Sequence, residues 1–226
     1  MPATEIHPFE PFLPEGARIL FLGSFPPQQH RWCMPFYYPN WINDFWRIMG
    51  LIHFGDKEHF CLPGEKRFDE RAIREFCTRE GLAFYDTATE VKRLKDNASD
   101  AFLEVVTPTD IRALLARIPE CHTVVTTGEK ASGIVAEAFG CAVPMVGGHI
   151  DIRSFVANAP QDDKWRTPQD DKWHAPQDDK WYAPQDDKCH SERSEESIRF
   201  YRMPSTSRAY PLPIEKKAEA YRKLFL

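Results

Sequence analysis

The sequence predicts an α/β fold with three α/β/α layers around a mostly parallel, four-stranded central sheet. Short apolar runs predict the four strands, at residues 18–22, 82–85, 123–126 and 198–203. Segments with helical spacing separate these runs. This favours parallel pairing, because a parallel connection must cross over the sheet and usually contains a helix. A length of 226 residues suits a single domain, 1–226.

The first half of the chain begins with an apolar run, Arg-Ile-Leu-Phe-Leu at 18–22, which ends at Gly23 and is typical of a buried strand. Large apolar residues at helical spacing predict a helix over 43–52, with Asn43 or Asp44 as its cap. A second helix is predicted over 65–80, and Gly81 is expected to stop it.

The second half of the chain alternates in the same way. Its predicted elements are strand 82–85, helix 108–117, strand 123–126, helix 128–139, strand 198–203 and an amphipathic helix from 214 to the end. In such sheets ligands bind beyond the carboxyl ends of the strands. Functional residues are therefore expected in the loops after Leu22, Tyr85, Thr126 and Met203.

An eight-residue repeat interrupts this domain within 158–197. Three successive copies begin with Pro-Gln-Asp-Asp-Lys-Trp, and a fourth stops at Pro-Gln-Asp-Asp-Lys. Proline in every copy breaks helices and strands, and the tract has too little apolar surface to offset the entropy of ordering it. We expect a disordered loop that arose from an inserted, translated DNA repeat. An acidic partner-binding arm anchored by its tryptophans is the alternative.

The negative charge of the chain is concentrated in this insert. The net charge is −5, and residues 160–197 contain eleven acidic and six basic side chains, which leaves 23 of each sign elsewhere. A neutral body can bind DNA if its basic groups gather on one face.

The cysteines and the apolar content limit the other classes of site. Six cysteines stand singly, without the short-spaced pairs of zinc or iron–sulfur sites, so we expect neither a metal site nor disulfides. The sequence contains no run of about 20 apolar residues and no signal pattern. These features predict a cytoplasmic protein with no membrane partner, and we expect a monomer.

Three loops contain the candidate functional residues. The loop Gly23-Ser24-Phe25-Pro26-Pro27 brings backbone N–H groups close to a phosphate or base carbonyl, or forms a tight turn without a ligand. In the second loop, the aromatic side chains at 36–38 offer surfaces on which a base can stack, or they belong to the core. The third loop is Met203-Pro204-Ser205-Thr206-Ser207-Arg208.

These loops resemble the motifs of the uracil-DNA glycosylase superfamily. Loop 23–27 is similar to its Gly-x-x-Pro loop, and loop 203–208 to its Pro-Ser loop, which presses into the DNA minor groove. Residues 37–47 are Tyr-Tyr-Pro-Asn-Trp-Ile-Asn-Asp-Phe-Trp-Arg. This segment is similar to the Tyr-Tyr-Gly-His-Pro-x-Asn-x-Phe-Trp segment of the hypoxanthine-DNA glycosylase branch. It is also similar to the related segment of mismatch-specific uracil glycosylases. The resemblance covers the chain outside 158–197. It implies a monofunctional DNA repair glycosylase that flips out a deaminated base, hypoxanthine or uracil, from DNA and hydrolyses its N-glycosidic bond without a cofactor.

The resemblance also implies roles for individual residues. Asn43 matches the catalytic asparagine that positions the attacking water, with a helix cap as the alternative. Asp86 matches the residue that reads the base edge, where a carboxylate suits a ring N–H; a loop cap is the alternative. The other expected base-binding residues are Gly23, Ser24, Phe25, Phe36, Tyr37 and Tyr38. The expected DNA-binding residues are Pro204, Ser205, Thr206, Ser207 and Arg208, and Arg208 is expected to fill the gap left by a flipped base.

The sequence departs from the superfamily at several of these positions. Phe25 replaces an aspartate of the best-studied uracil enzymes, and Met203 replaces the usual histidine, so the preferred base is left open. Two other functions remain as alternatives. One is a catalytically weak or inactive nucleic-acid-binding module of the same fold. The other is an unrelated α/β enzyme that acts on a nucleotide or other small molecule.

Overall fold

The computed structural model describes residues 3–95, 100–153 and 197–226. The strands are β1 (Thr4–Ile6), β2 (Ile19–Gly23), β3 (Leu82–Asp86), β4 (Ala88–Arg93), β5 (Leu103–Pro108), β6 (Thr123–Thr126), β7 (Gly148–Arg153) and β8 (Ser197–Arg202). The helices are α1 (Phe45–Phe54), α2 (Glu70–Glu80), α3 (Ile111–Ala116), α4 (Glu129–Phe139) and α5 (Ile214–Arg222).

The main sheet has the strand order β3-β2-β6-β8-β7. The first four of these strands are parallel, and β7 pairs with β8 in the antiparallel direction. The prediction of an α/β fold with a mostly parallel sheet is confirmed. The predicted number of four strands is wrong, because the described part of this sheet also contains the edge strand β7.

The centre of this sheet is apolar on both faces. Every residue of 19–22 in β2 and of β6 is buried, and so is every residue of β3. A strand that buries successive side chains must have protein on both of its faces, because neighbouring side chains point in opposite directions. The burial pattern therefore fits the three layers expected from the sequence.

Two helices begin later in the chain than apolar spacing predicted. Helix α2 begins at Glu70 rather than at residue 65, because Asp69 accepts a hydrogen bond from the backbone N–H of Ala72. Helix α3 begins at Ile111 rather than at 108, where Pro108 still belongs to β5. The predicted stop at Gly81 is confirmed by its left-handed φ of 67°.

A second, antiparallel sheet was not predicted. Its strand order is β1-β4-β5, and it has its own small core of Ala88, Val91 and Leu103, against which Phe25 packs. These strands are short and mostly half-buried or exposed, so they lack the continuous apolar runs that identify the main sheet. The second sheet brings the N-terminal segment to the end of β3.

Strands β7 and β8 are neighbours at the edge of the main sheet. Arg153, the last residue of β7, lies directly opposite Ser197, the first residue of β8. Because β8 runs parallel to the central strands, Arg153 and Ser197 lie at the amino-terminal edge of the sheet. The predicted disorder of the repeat lies outside the described residues, except that Ser197 belongs to β8. Across the described ranges, no helix has the length and apolar character needed to span a membrane.

Candidate active site

A cavity of about 990 Å³ opens at the carboxyl ends of β2, β3, β6 and β8. Its wall is formed by the loop after β2, the segment that leads into α1, the start of α4 and the loop after β8. All of the site residues predicted from the sequence line this cavity except Phe36 and Arg208.

Phe36 lies in the hydrophobic core and not in the cavity wall. It is 2% exposed, and its ring packs edge-to-face against Phe12 and Phe84. The guanidinium of Arg74 lies 4.1 Å from its ring centre on the outer side. Phe36 was predicted either to stack on a base or to belong to the core, and its position is that of a core residue.

Hydrogen bonds of their hydroxyl groups and contacts of their rings hold Tyr37 and Tyr38 in place. The hydroxyl of Tyr37 donates to the carbonyl of Glu10 at 2.9 Å. Tyr38 has a left-handed backbone (φ 51°), stacks on Phe45 at 3.9 Å between ring centres, and bonds Thr127 through its hydroxyl. A positive φ is costly for a bulky residue and is retained where the surroundings fix it. Burial raises the pKa of both phenols, so both stay protonated at neutral pH.

Asn43 lies between the cavity and the first turn of α1. Its Oδ1 accepts from the backbone N–H of Phe45 at 2.9 Å, and its backbone pairs with Ser207 across the cavity rim. Asp44 is the formal cap residue of the helix, but its side chain makes no capping bond. Within the described residues no partner is found for the Asn43 amide NH₂ group, which leaves it available for a ligand.

Asp86 is buried at the end of β3 and is fixed by three contacts. Its backbone carbonyl accepts from the Thr109 hydroxyl at 2.7 Å, and its Oδ2 lies 2.9 Å from His7 Nε2. Its Oδ1 lies against Gly23 on the neighbouring strand, where a Cβ would collide with it. Loop 23–27 therefore needs a glycine at this position whether or not its N–H groups bind a ligand.

Sequence reasoning missed two residues of this site. His7, whose side chain is only 2% exposed, comes from the segment after β1, and Asp100 lies just before β5. Ser24 donates to Asp100 at 2.6 Å. Burial raises the pKa of Asp100, and the Ser24 hydrogen bond acts in the opposite direction. Asp100 lines the cavity, whereas His7 lies behind the wall and contacts it through Asp86. The unpredicted second sheet places both residues, and no spacing in the sequence marks them.

Loop 203–208 is tied to α1 and α5 by hydrogen bonds. The Nζ of buried Lys217 donates to the Ser207 carbonyl, and the Tyr221 hydroxyl donates to the Pro204 carbonyl. Arg208 turns away from the cavity and pairs with Asp44. Met203 is 1% exposed, so it contributes packing where a histidine would offer a hydrogen bond.

The charges around the cavity are mixed. Basic residues of the wall include Arg31, Lys130 and Arg202, beside the acidic Asp86 and Asp100. Lys130 lies in the first turn of α4, and its Nζ donates a hydrogen bond to the carbonyl of Leu103. The ranges that the structure describes contain no group of His, Cys, Asp or Glu that could hold a metal ion.

The chain is similar to a solved structure of another protein. One such structure is the solution NMR structure of a "putative Uracil DNA glycosylase" from Methanosarcina acetivorans, with 21% sequence identity and a TM-score of 0.45. The match covers 59% of the present chain and 77% of the other. No family model and no curated protein matches the sequence.

Proposed function

We propose that this protein is a DNA glycosylase that removes a deaminated base, hypoxanthine or uracil, from DNA. The observation that carries the proposal is that Asn43, Asp86 and Tyr38 line one cavity, whose rim is loop 203–208. These residues come from separate motifs that match one superfamily in the same order along the chain.

The cavity suits a single flipped nucleotide. Its volume of about 990 Å³ lies in the range of small-ligand pockets. A base inside a duplex is out of reach, so it must rotate out and be held in such a pocket. The half-buried Tyr38 provides an aromatic surface for stacking, whereas Tyr37 is 4% exposed and stacks on Phe84 in the core. Asp86 provides a hydrogen-bond acceptor for the base edge.

Hydrolysis needs a water molecule held against C1′ of the sugar. In the proposed reaction the C1′–N bond breaks and its electron pair leaves with the base, while the water oxygen bonds to C1′ and loses a proton to solvent. Positive charge grows on the sugar, so a correctly placed water requires little further activation. The amide of Asn43 holds this water in the proposed mechanism, and no cofactor or lysine nucleophile is needed.

A nucleic-acid-binding module with little activity is the second candidate. It is favoured by Oδ1 of Asn43, which is already engaged by Phe45, and by the absence of a carboxylate at Phe25. Such a protein would hold the flipped base without cutting the bond.

Excision assays distinguish the two candidates. Duplex oligonucleotides that carry uracil, hypoxanthine or xanthine are incubated with the protein, and abasic sites are then cleaved by alkali. Affinity for the same duplexes is measured in parallel. We expect strand cleavage at one or more of these bases. Selective binding without cleavage would support the binding module, and neither binding nor cleavage would contradict both.

A further inference from the structure

His7 and Asp86 form a buried pair in which Asp86 lines the cavity and His7 lies behind it. The side chain of His7 is 2% exposed and that of Asp86 is 10% exposed, with 2.9 Å between Nε2 and Oδ2. The histidine ring lies among aromatic neighbours, with centre-to-centre distances of 4.6 Å to Tyr85 and 5.3 Å to Phe25. A polar ring enclosed in this way has little freedom to turn, so the contact with Asp86 is a fixed part of the site.

The contacts of the ring limit where protons can lie. Nδ1 of His7 is 2.8 Å from the carbonyl oxygen of Phe9, which can only accept, so Nδ1 carries a proton whenever this hydrogen bond forms. The contact between Nε2 and Oδ2 of Asp86 needs one proton as well, on either atom. The result is an imidazolium–carboxylate pair or a neutral histidine that accepts from a carboxylic acid.

Both arrangements have the same consequence for the other oxygen of Asp86. If the proton lies on Nε2, Asp86 is a carboxylate and Oδ1 accepts hydrogen bonds. If it lies on Oδ2, Oδ1 is the carbonyl oxygen of the acid and still accepts. The longer alternative, in which the Phe9 N–H donates to Nδ1 at 3.2 Å, leaves Nε2–H to donate to a carboxylate and again makes Oδ1 an acceptor.

Oδ1 is the atom of this pair that a ligand can use. It lies beside Gly23, which also lines the cavity, and no partner for it is found within the described part of the chain. Oδ1 is open to the cavity, so a base that covers it without supplying an N–H leaves the acceptor unpaired, and a base that supplies one gains affinity.

We propose that His7 is a positioning residue that holds Asp86 with Oδ1 as an obligatory acceptor, so that the cavity selects bases with a ring N–H. This inference rests on the proposed function, because it specifies which bases the glycosylase takes. Deamination changes the ring nitrogen in the required sense: N1 of adenine and N3 of cytosine are acceptors, whereas hypoxanthine and uracil carry N–H there. A fixed acceptor therefore distinguishes the damaged base from its parent.

Binding to uncleavable duplexes tests this selection separately from catalysis. A 2′-fluoro sugar slows glycosidic cleavage, so duplexes with 2′-fluoro hypoxanthine and 2′-fluoro adenine opposite thymine report affinity alone. We expect the wild type to prefer hypoxanthine by at least about tenfold, since a site built to bond an N–H rejects ligands without one. His7→Leu should reduce this preference to less than about threefold, because Asp86 is then free to turn and Oδ1 is no longer held in place.

Two further variants separate positioning from general damage. His7→Gln places an amide nitrogen near the position of Nε2 and should retain most of the preference. His53 is a half-buried histidine that packs on Phe76 and does not line the cavity. His53→Leu should therefore leave the preference for hypoxanthine over adenine unchanged. A wild type without preference, or a His7→Leu variant that keeps it, would overturn the inference. Preference in binding without excision of ordinary substrates would overturn the proposed catalysis and leave the role of His7 intact.

The proton between the two side chains gives a measurement that needs no DNA. Nitrogen-15 NMR of histidine-labelled full-length protein identifies which ring nitrogens of His7 carry protons. Asp86→Asn should shift the Nε2 resonance of His7, whereas Asp100→Asn should not. An Nε2 resonance that ignores Asp86→Asn would contradict the shared proton.

Discussion

Arg208 donates its Nε to Oδ1 of Asp44 at 2.9 Å, which joins the loop after β8 to the first turn of α1. The other oxygen of Asp44 lies 3.6 Å from Lys217 on α5. The loop proposed to meet DNA is therefore held in place before DNA arrives. Such preorganisation lowers the entropy lost on binding.

Arg208→Ala should slow excision from duplex DNA more than from single strands. The Arg208 side chain is 47% exposed and bonds Asp44 through Nε, so its terminal nitrogens can reach a phosphate or the gap left by a flipped base. Single strands have no gap to hold open. Single-turnover rates on matched duplex and single-stranded substrates measure the difference.

Asp44→Asn is the matched control for this prediction. It weakens the ion pair but keeps the cation, so it should preserve the duplex preference. Because Asp44 also faces the buried Lys217, the change should cost about 3 kcal/mol of stability. Equal losses on both substrates for Arg208→Ala would leave Arg208 as a structural partner of Asp44 only.

Asn43→Ala should lower excision by at least about 100-fold with little change in DNA affinity, because it removes the group that positions water in the proposed mechanism. The same change removes the acceptor for the Phe45 N–H and should cost about 1 kcal/mol. Excision rates and thermal unfolding measure the two effects.

Asn43→Asp separates these roles. A carboxylate still accepts from Phe45, so stability should be retained, whereas the NH₂ group is lost. Full activity in Asn43→Ala together with lower stability would show that Asn43 is a helix cap.

Gly23→Ala should reduce excision by about tenfold or more, because a Cβ at this position collides with Oδ1 of Asp86 and forces that carboxyl to move. Gly133→Ala is the matched control. Gly133 lies inside α4 with open space around its Cβ position, so alanine there should stabilise the protein by about 0.5–1 kcal/mol and leave activity unchanged. Equal activity of the two variants would contradict the role of Oδ1.

Asp100→Asn should make the protein more stable at neutral pH. Burial raises the pKa of Asp100 above its ordinary value of 3.8, so the folded protein binds a proton more tightly than the unfolded chain. Stability contributed by this group is then complete below pH 3.8 and is lost as the pH rises through the folded pKa. Asparagine is neutral at every pH, so the variant does not lose this stability as the pH rises.

Denaturant unfolding as a function of pH measures this effect. The advantage of Asp100→Asn should be absent in acid and grow as the pH rises above 3.8. Ser24→Ala removes the hydrogen bond that opposes the shift, so it should extend the pH window upward. An advantage that is equal at all pH values would show that charge is not its cause.

The sequence predicted the parts of this fold that rely on local pattern. Strands β2 and β6 are continuous apolar runs that sit in the sheet centre, and Gly81 ends its helix as expected. Strand β7 alternates apolar and polar residues at the sheet edge, where the signal is weaker. The short strands of the second sheet pair over long sequence separations, which local spacing does not report.

The same distinction applies to the candidate site: residues within motifs were predicted, and residues placed by tertiary contacts were not. Motif matching found Asn43, Asp86 and the tyrosines, but it could not tell Phe36, in the core, from Tyr37 and Tyr38 in the wall, because a loop has no periodicity. The left-handed backbone of Tyr38 sets its direction and has no signature in the sequence. His7 is 79 positions from its partner Asp86, and this pairing depends on the second sheet.

Replacing residues 154–196 by a two-residue Asn-Gly turn should leave the melting temperature and the excision rate unchanged. Arg153 and Ser197 are already paired in register, so a short hairpin turn can close β7 onto β8. The junction lies at the edge of the sheet opposite the cavity. Loss of soluble expression in this variant would show that the segment contributes to folding.

The position of this junction also bears on how the gene can change. Each copy of the repeat is a whole number of codons, so gain or loss of copies keeps the reading frame. The residues that flank the repeat lie at the edge of the sheet opposite the proposed base pocket, and lengthening a loop costs little free energy. Related sequences should therefore differ in repeat length while their cavity residues stay the same.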